Sequence, residues 1–96
     1  MSGPLKIEEV ALLGIVKNYA GIRSEIAQEA VKVVDSPNFS YLMALYSLDS
    51  MLQRHYMMVN PIDRTYTLTP VGVSALYSGV ERLNKLTQTF NALKGA

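Results

Sequence analysis

Ninety-six residues make one domain, large enough to bury a core and small enough for dimerisation to add to its stability. Nine basic residues against eight acidic ones leave a net charge of +1, below the positive excess of a protein that coats DNA, so any nucleic-acid contact must come from a few locally placed cations. The absence of cysteine excludes disulfides, thiolate zinc sites and cysteine nucleophiles, and the single histidine, His55, cannot build a multi-histidine metal site.

No stretch reaches the roughly 18 uninterrupted apolar residues of a membrane span, and no charged segment followed by a long apolar core opens the chain. The expectation is a cytoplasmic protein with no membrane contact and no cofactor. No low-complexity block, internal repeat or long linker divides the sequence, so residues 1–96 read as one domain: a frayed start over 1–5, a body over 6–68 and a C-terminal helix over 69–93.

Ser2-Gly3-Pro4 belongs to the frayed start. From Lys6 to about Tyr19 the apolar residues Ile7, Val10, Ala11, Gly14 and Ile15 recur at helical spacing, and Leu13 and Val16 widen the face, which predicts a first helix buried on more than one side. Ala20-Gly21 ends it. A second helix starts near Arg23-Ser24, with Ser24 a candidate cap, and runs to Val33 or Val34 with Ile26, Ala27, Ala30 and Val31 inward. Asp35-Ser36-Pro37-Asn38 combines a proline with three turn-favouring residues and interrupts the helical pattern.

Ser40 is the natural cap of a third helix that ends near Arg54. One apolar template uses Leu42, Leu45, Leu48 or Asp49, and Leu52. The other, which avoids placing Asp49 inward, uses Leu45, Leu48, Met51 and Leu52 and leaves Met43, Tyr46, Ser47, Ser50, Gln53 and Arg54 outward. His55 follows directly, where a short helix-to-strand connection calls for positive φ; a phosphate contact or a pH-sensitive partner contact are its other readings.

Two runs rich in Tyr, Val and Thr, Tyr56-Met57-Met58-Val59 and Thr65-Tyr66-Thr67-Leu68, flank the turn-forming cluster Asn60-Pro61-Ile62-Asp63-Arg64 and predict a β-hairpin. Thr69-Pro70 then reads as a helix cap followed by its first helical residue, with Leu68 and Val73 as a hydrophobic staple. Beyond it Val73, Leu76, Val80, Leu83, Thr87 and Phe90 alternate steps of three and four, a heptad seam that Leu86 and Leu93 broaden. The seam predicts a dimer interface, with packing against the first helix as the alternative. Gly72 and Gly79 weaken a helix by about 1 kcal/mol each relative to alanine, so a close approach of another backbone is expected at both. The fold class is therefore mainly α with a small β-hairpin wing (α+β): a winged helix-turn-helix with a long C-terminal dimerisation helix.

This order of elements, with Tyr66-Thr67-Leu68-Thr69-Pro70-Val71-Gly72 leading into the last helix, resembles the PadR-like winged-helix regulators and their MarR-type relatives over about residues 6 to 93. The chain has His55 where the recognition helix of that family usually ends in glycine, and it lacks the Tyr-Pro pair found early in that helix of PadR-like proteins. The resemblance implies a homodimeric DNA-binding repressor whose third helix enters the major groove of double-stranded DNA while the wing lies along the backbone or minor groove.

On that reading Ser40 and Tyr41, at the start of the third helix, are candidate phosphate contacts through backbone amides and hydroxyls. Tyr46, Ser47 and Ser50 are candidate contacts to base edges, Arg54 is the only cation of the third helix, and Arg64 at the wing tip and Arg23 near the second helix are candidate phosphate partners. Lys17 and Lys32 are expected farther from the groove. The dimer contacts are expected at Val73, Leu76, Val80, Leu83, Leu86 and Phe90. Neither a Gly-rich phosphate loop nor a His-Glu pair at metal spacing is present, and the pairs Glu8-Glu9 and Glu25-Glu29 read as solvated helix faces, so no enzyme is expected. A second function class stays open: a winged-helix module that binds another protein through Met43, Tyr46, Met57 and Met58.

Overall fold

The computed structural model describes residues 5–95, so Ser2-Gly3-Pro4 lies outside the described residues. Among the described residues, four helices and one two-stranded antiparallel sheet follow in the order α1 (Ile7–Asn18), α2 (Arg23–Val34), α3 (Tyr41–Gln53), β1 (Met57–Val59), β2 (Tyr66–Leu68) and α4 (Pro70–Gly95). The protein is thus mainly helical with a small hairpin. Leu5, expected in the frayed start, is instead buried, and its carbonyl accepts a hydrogen bond from the Arg82 guanidinium of α4.

Helix α1 is the pivot of the core: it packs against α2, α3, α4 and β2. Burial on several sides follows, and Val10, Leu12, Leu13 and Val16 all lie inside. Ile7, expected inward, is largely exposed because it stands in the first turn at the rim of a shallow groove with Val34, Phe39 and Met43. Two acidic side chains start the first two helices by the same device. Glu9 Oε1 accepts the Lys6 N–H at 2.8 Å and Glu25 Oε1 accepts the Ile22 N–H at 3.1 Å, each carboxylate closing a free amide three residues back. Ile22 rather than Ser24 is therefore the residue that precedes α2, and Ser24 falls inside its first turn.

Ile26, Ala27 and Ala30 of α2 meet Ala44, Leu48 and Met51 of α3 in the core, with Leu45 and Leu52 half-buried beside them. The template that turns Asp49 outward is the one the chain adopts. Leu42, inward in the other template, is exposed, while the small Ala44, in neither template, takes an inward position where α2 and α3 come close. Ser40 Oγ accepts the Met43 N–H at 3.3 Å, which fixes where α3 begins.

The connection after α3 is tight. His55 adopts φ 62°, its N–H donates to the Leu52 carbonyl and the next N–H, of Tyr56, donates to the Met51 carbonyl. These bonds satisfy two of the last carbonyls of α3, and the left-handed backbone at His55 is what brings the Tyr56 N–H back to Met51. Replacing His55 by Gly is expected to stabilise the fold by about 0.5–1 kcal/mol, because a side chain costs energy in that conformation and this one is exposed. A urea midpoint that stays put or falls would assign the imidazole a contact of its own.

The hairpin pairs Met57 with Leu68, Met58 with Thr67 and Val59 with Tyr66. Met57 and Tyr66 point into the core while Met58 and Thr67 point out, the period of two expected of a strand lying on helices. The turn is held by Asn60, whose N–H donates to the Thr65 carbonyl and whose side-chain Oδ1 accepts the Ile62 N–H, both at 2.8 Å. The Tyr66 N–H donates at 2.9 Å to the Gly21 carbonyl, so the hairpin is also bonded to the α1–α2 connection.

Thr69 begins α4 as its cap: its Oγ1 accepts the Gly72 N–H at 3.0 Å and donates to the His55 carbonyl at 2.6 Å. The two glycines of α4 have identifiable neighbours within the chain. A Cβ on Gly72 would stand 1.9 Å from the Tyr56 carbonyl oxygen, and one on Gly79 would stand 2.7 Å from Val10 Cγ2 of α1. Absence of a side chain at Gly72 and Gly79 lets α4 lie close to the hairpin and to α1. Lys17 of α1 adds a cation–π contact, 5.4 Å from the Tyr77 ring centroid.

Candidate nucleic-acid interface

The seam of α4 divides in two. Leu76 is buried in the core, Leu83 is half-buried against it and Val73 is half-buried, so Leu76 is corrected from an interface residue to a core residue: α1 reaches it first. Val80, Leu86, Phe90 and Leu93 are exposed, and every residue from Asn84 to Gly95 is exposed. The alternatives read from the sequence thus apply to different halves of one helix.

The expected DNA contacts also separate. Arg23, Tyr41 and Arg64 come together, lining one groove between the start of α2, the start of α3 and the hairpin tip, with Ser24 and Asp63 beside them. Three segments far apart in sequence converge here because Tyr66 ties the hairpin to Gly21, two residues before Arg23. Arg64 is exposed at φ 65°, its N–H donating to the Asn60 carbonyl. Asp63 is turned back on the hairpin: hydrogen bonds from the backbone N–H and the hydroxyl of Thr65, at 3.0 and 2.8 Å, hold its carboxyl below the usual carboxylate range. Tyr66 forms the floor, and burial pushes its phenol above the ordinary tyrosine value.

Arg23 is already engaged. Its Nη2 and Nε donate to Asp49 of α3 at 2.9 and 3.2 Å, and that hydrogen-bonded carboxylate raises the pKa of the guanidinium. Both side chains remain nearly half exposed, so the pair contributes only about 0–1 kcal/mol and its partners are exchangeable.

Arg54 leaves the set. Its guanidinium turns inward to Glu9, the same carboxylate that caps α1, and lies 5.4 Å from the Tyr56 ring centroid. Its Nε is buried with no acceptor among the described residues. A cation placed this way joins the end of α3 to the start of α1 and cannot face a groove of DNA.

The outward surface of α3 is formed by Leu42, Tyr46, Asp49 and Gln53, spaced by steps of four, three and four, with Met43 on the flank. Tyr46 is 72% exposed and Ser47 and Ser50 are half-buried beside it. Ser40 is exposed, but its oxygen is occupied by the Met43 amide. Asp49 is the functional candidate that the sequence reading passed over. Its position four residues before Gln53 and three after Tyr46 was the available signal.

Elsewhere, α1 and α2 flank an open groove lined by Gly14, Ile15, Glu25 and Glu29, where the charge of Glu25, helped by burial, raises the Tyr19 phenol above its ordinary value. Among the described residues no group of three or more His, Asp or Glu side chains is placed to hold a metal ion, and no helix is long and apolar enough to cross a membrane. Comparison of the chain with protein-family models, with curated proteins and with solved structures found no match.

Proposed function

We propose that the protein is a homodimeric, sequence-specific DNA-binding regulator of the winged helix-turn-helix kind, repressor-like, with α3 as the recognition helix and the hairpin as the wing. The observation that carries this reading is the convergence of Arg23, Tyr41 and Arg64 on one groove. That groove adjoins the first turns of α2 and α3, whose free amides favour an anion. A phosphate seated there would hold the exposed stripe of α3 toward base edges, where Tyr46, Ser47 and Ser50 supply hydroxyls. Dimerisation through Val80, Leu86, Phe90 and Leu93 is supported by the uncovered half of α4, since an isolated helix of that length is marginal in water. Two copies would present two such surfaces to two half-sites.

A second reading has its own observation. With Arg54 turned inward, Met43, Tyr46 and Met58 are exposed, with Leu42 beside the first two, which suits a protein partner, whereas Met57, expected on that surface, is buried in the core.

Salt separates the two. If Arg23 and Arg64 of both copies neutralise about four phosphates, affinity for duplex falls about a hundredfold on a fourfold rise in salt, whereas an apolar contact barely changes. A mobility-shift titration with random duplex at low and moderate salt is expected to give binding that collapses in this way. No shift at either salt, from folded protein, would overturn the DNA reading in favour of the protein partner.

A further inference from the structure

We propose that Asp49 reads a cytosine in the bound duplex and that Arg23 releases Asp49 to take a phosphate as the complex forms, an inference that rests on the DNA-binding reading above. Asp49 is the only charged side chain within α3, and it stands at the centre of the outward stripe between Tyr46 and Gln53. A bare carboxylate there would be repelled by the phosphates of any approaching duplex. In the free protein Arg23 cancels that charge through two hydrogen bonds, at 2.9 and 3.2 Å.

The same guanidinium lines the groove with Tyr41 and Arg64. It therefore borders both the acid it neutralises and the place where a phosphate would sit. The side chains of Arg23 and Asp49 are 45% and 47% exposed, so exchanging one anionic partner for another requires no opening of the core. Once Arg23 turns to a phosphate, the Asp49 oxygens are acceptors without a donor. In the major groove guanine presents two acceptors and thymine one beside its methyl group; adenine's N6 donor lies between two acceptors, its own N7 and the paired thymine O4, whereas cytosine's N4 donor has an acceptor on one side only, the paired guanine O6, and an apolar C–H on the other. A carboxylate accordingly selects cytosine. The other groups on this face, the hydroxyls of Tyr46, Ser47 and Ser50 and the amide of Gln53, both donate and accept, so Asp49 is the one residue there whose hydrogen-bonding sense is fixed.

The test is selection from a randomised duplex pool by the full-length protein and by Asp49→Ala and Asp49→Asn, each checked for native circular dichroism, with binding to random duplex measured at low salt. Wild type is expected to enrich a cytosine at one position of each half-site, and Asp49→Ala to lose preference there alone. Asp49→Asn, which keeps the side-chain shape and carries the test if the alanine variant melts early, is expected to shift that position toward adenine. With no pair to break, Asp49→Ala is also expected to bind random duplex about two- to fivefold more tightly, the equivalent of an exposed ion pair. Unchanged base preference in both folded variants would overturn the inference and reduce the pair to a fastening between α2 and α3. Weaker binding of random duplex by folded Asp49→Ala would overturn the exchange. A wild type that neither enriches sites nor shifts random duplex would overturn the DNA reading itself, and this inference with it.

Discussion

Glu9→Ala is expected to cost about 3 kcal/mol of folding stability, a large share of what a domain of this size possesses. Glu9 is 9% exposed and its two oxygens have separate tasks: Oε1 accepts the Lys6 N–H at the start of α1, and Oε2 accepts the Arg54 guanidinium at the end of α3. Removing the carboxylate leaves a charge that is three-quarters buried with nothing to balance it, and an open amide at the helix start. The figure is taken at the lower end of the range for buried pairs because water reaches part of Arg54. Urea denaturation at one fixed protein concentration measures it. Changing both residues, Glu9→Met with Arg54→Met, is expected to recover most of the loss, since the stranded charge is then absent. Equal losses in the single and double variants would show that charge pairing is not the cause.

Phe90→Glu is expected to abolish self-association without unfolding the subunit. The ring is 62% exposed and lies in the uncovered half of α4, so the substitution removes little within one chain. In a symmetric dimer the change enters twice; a buried aromatic anchor contributes about 2 kcal/mol, so dissociation strengthens about a thousandfold. Sedimentation velocity across a concentration series reads the shift directly, and a wild type that sediments as a monomer throughout would end the dimer proposal. Leu83 is a poorer choice on the same seam. It packs half-buried against the core, so a charge there disturbs folding and association together.

Features governed by local chemistry were legible in the sequence. Ser40 and Thr69 cap the helices they were expected to cap, the turn falls at Asn60-Pro61-Ile62-Asp63-Arg64, and His55 takes the positive φ that its place required. The cap of α2 was missed because Ile22 has no side-chain acceptor; the capping oxygen comes from Glu25 instead. Periodicity located the helices but not which neighbour covers which face. Leu76 and Leu83 share one heptad pattern with Phe90, yet only the first two lie within reach of the core, and no spacing rule records where α1 ends its cover.

The candidate site was legible in part for the same reason. Exposure at a turn leaves a residue few alternatives, and Arg64 is exposed as expected. Arg54 and Arg23 each acquired a carboxylate partner from a distant segment, 45 and 26 residues away, and such pairings depend on how helices cross rather than on local pattern. In sequence, Glu9 reads with Glu8 as a solvated face. Its inward turn follows from serving two donors at once.

The point at which α4 loses its backing has a geometric consequence. Everything before Leu83 is fixed to the body of the subunit, so the overhang that follows behaves as a ruler whose length is written in residue number. Each residue inserted there advances the far end by about 1.5 Å and turns it by about 100°, so single insertions swing the apolar edge away while an added heptad restores its direction about 10 Å farther out. Whatever grips that edge is thereby held at a reach that evolution, or a protein engineer, can lengthen only in quantised steps.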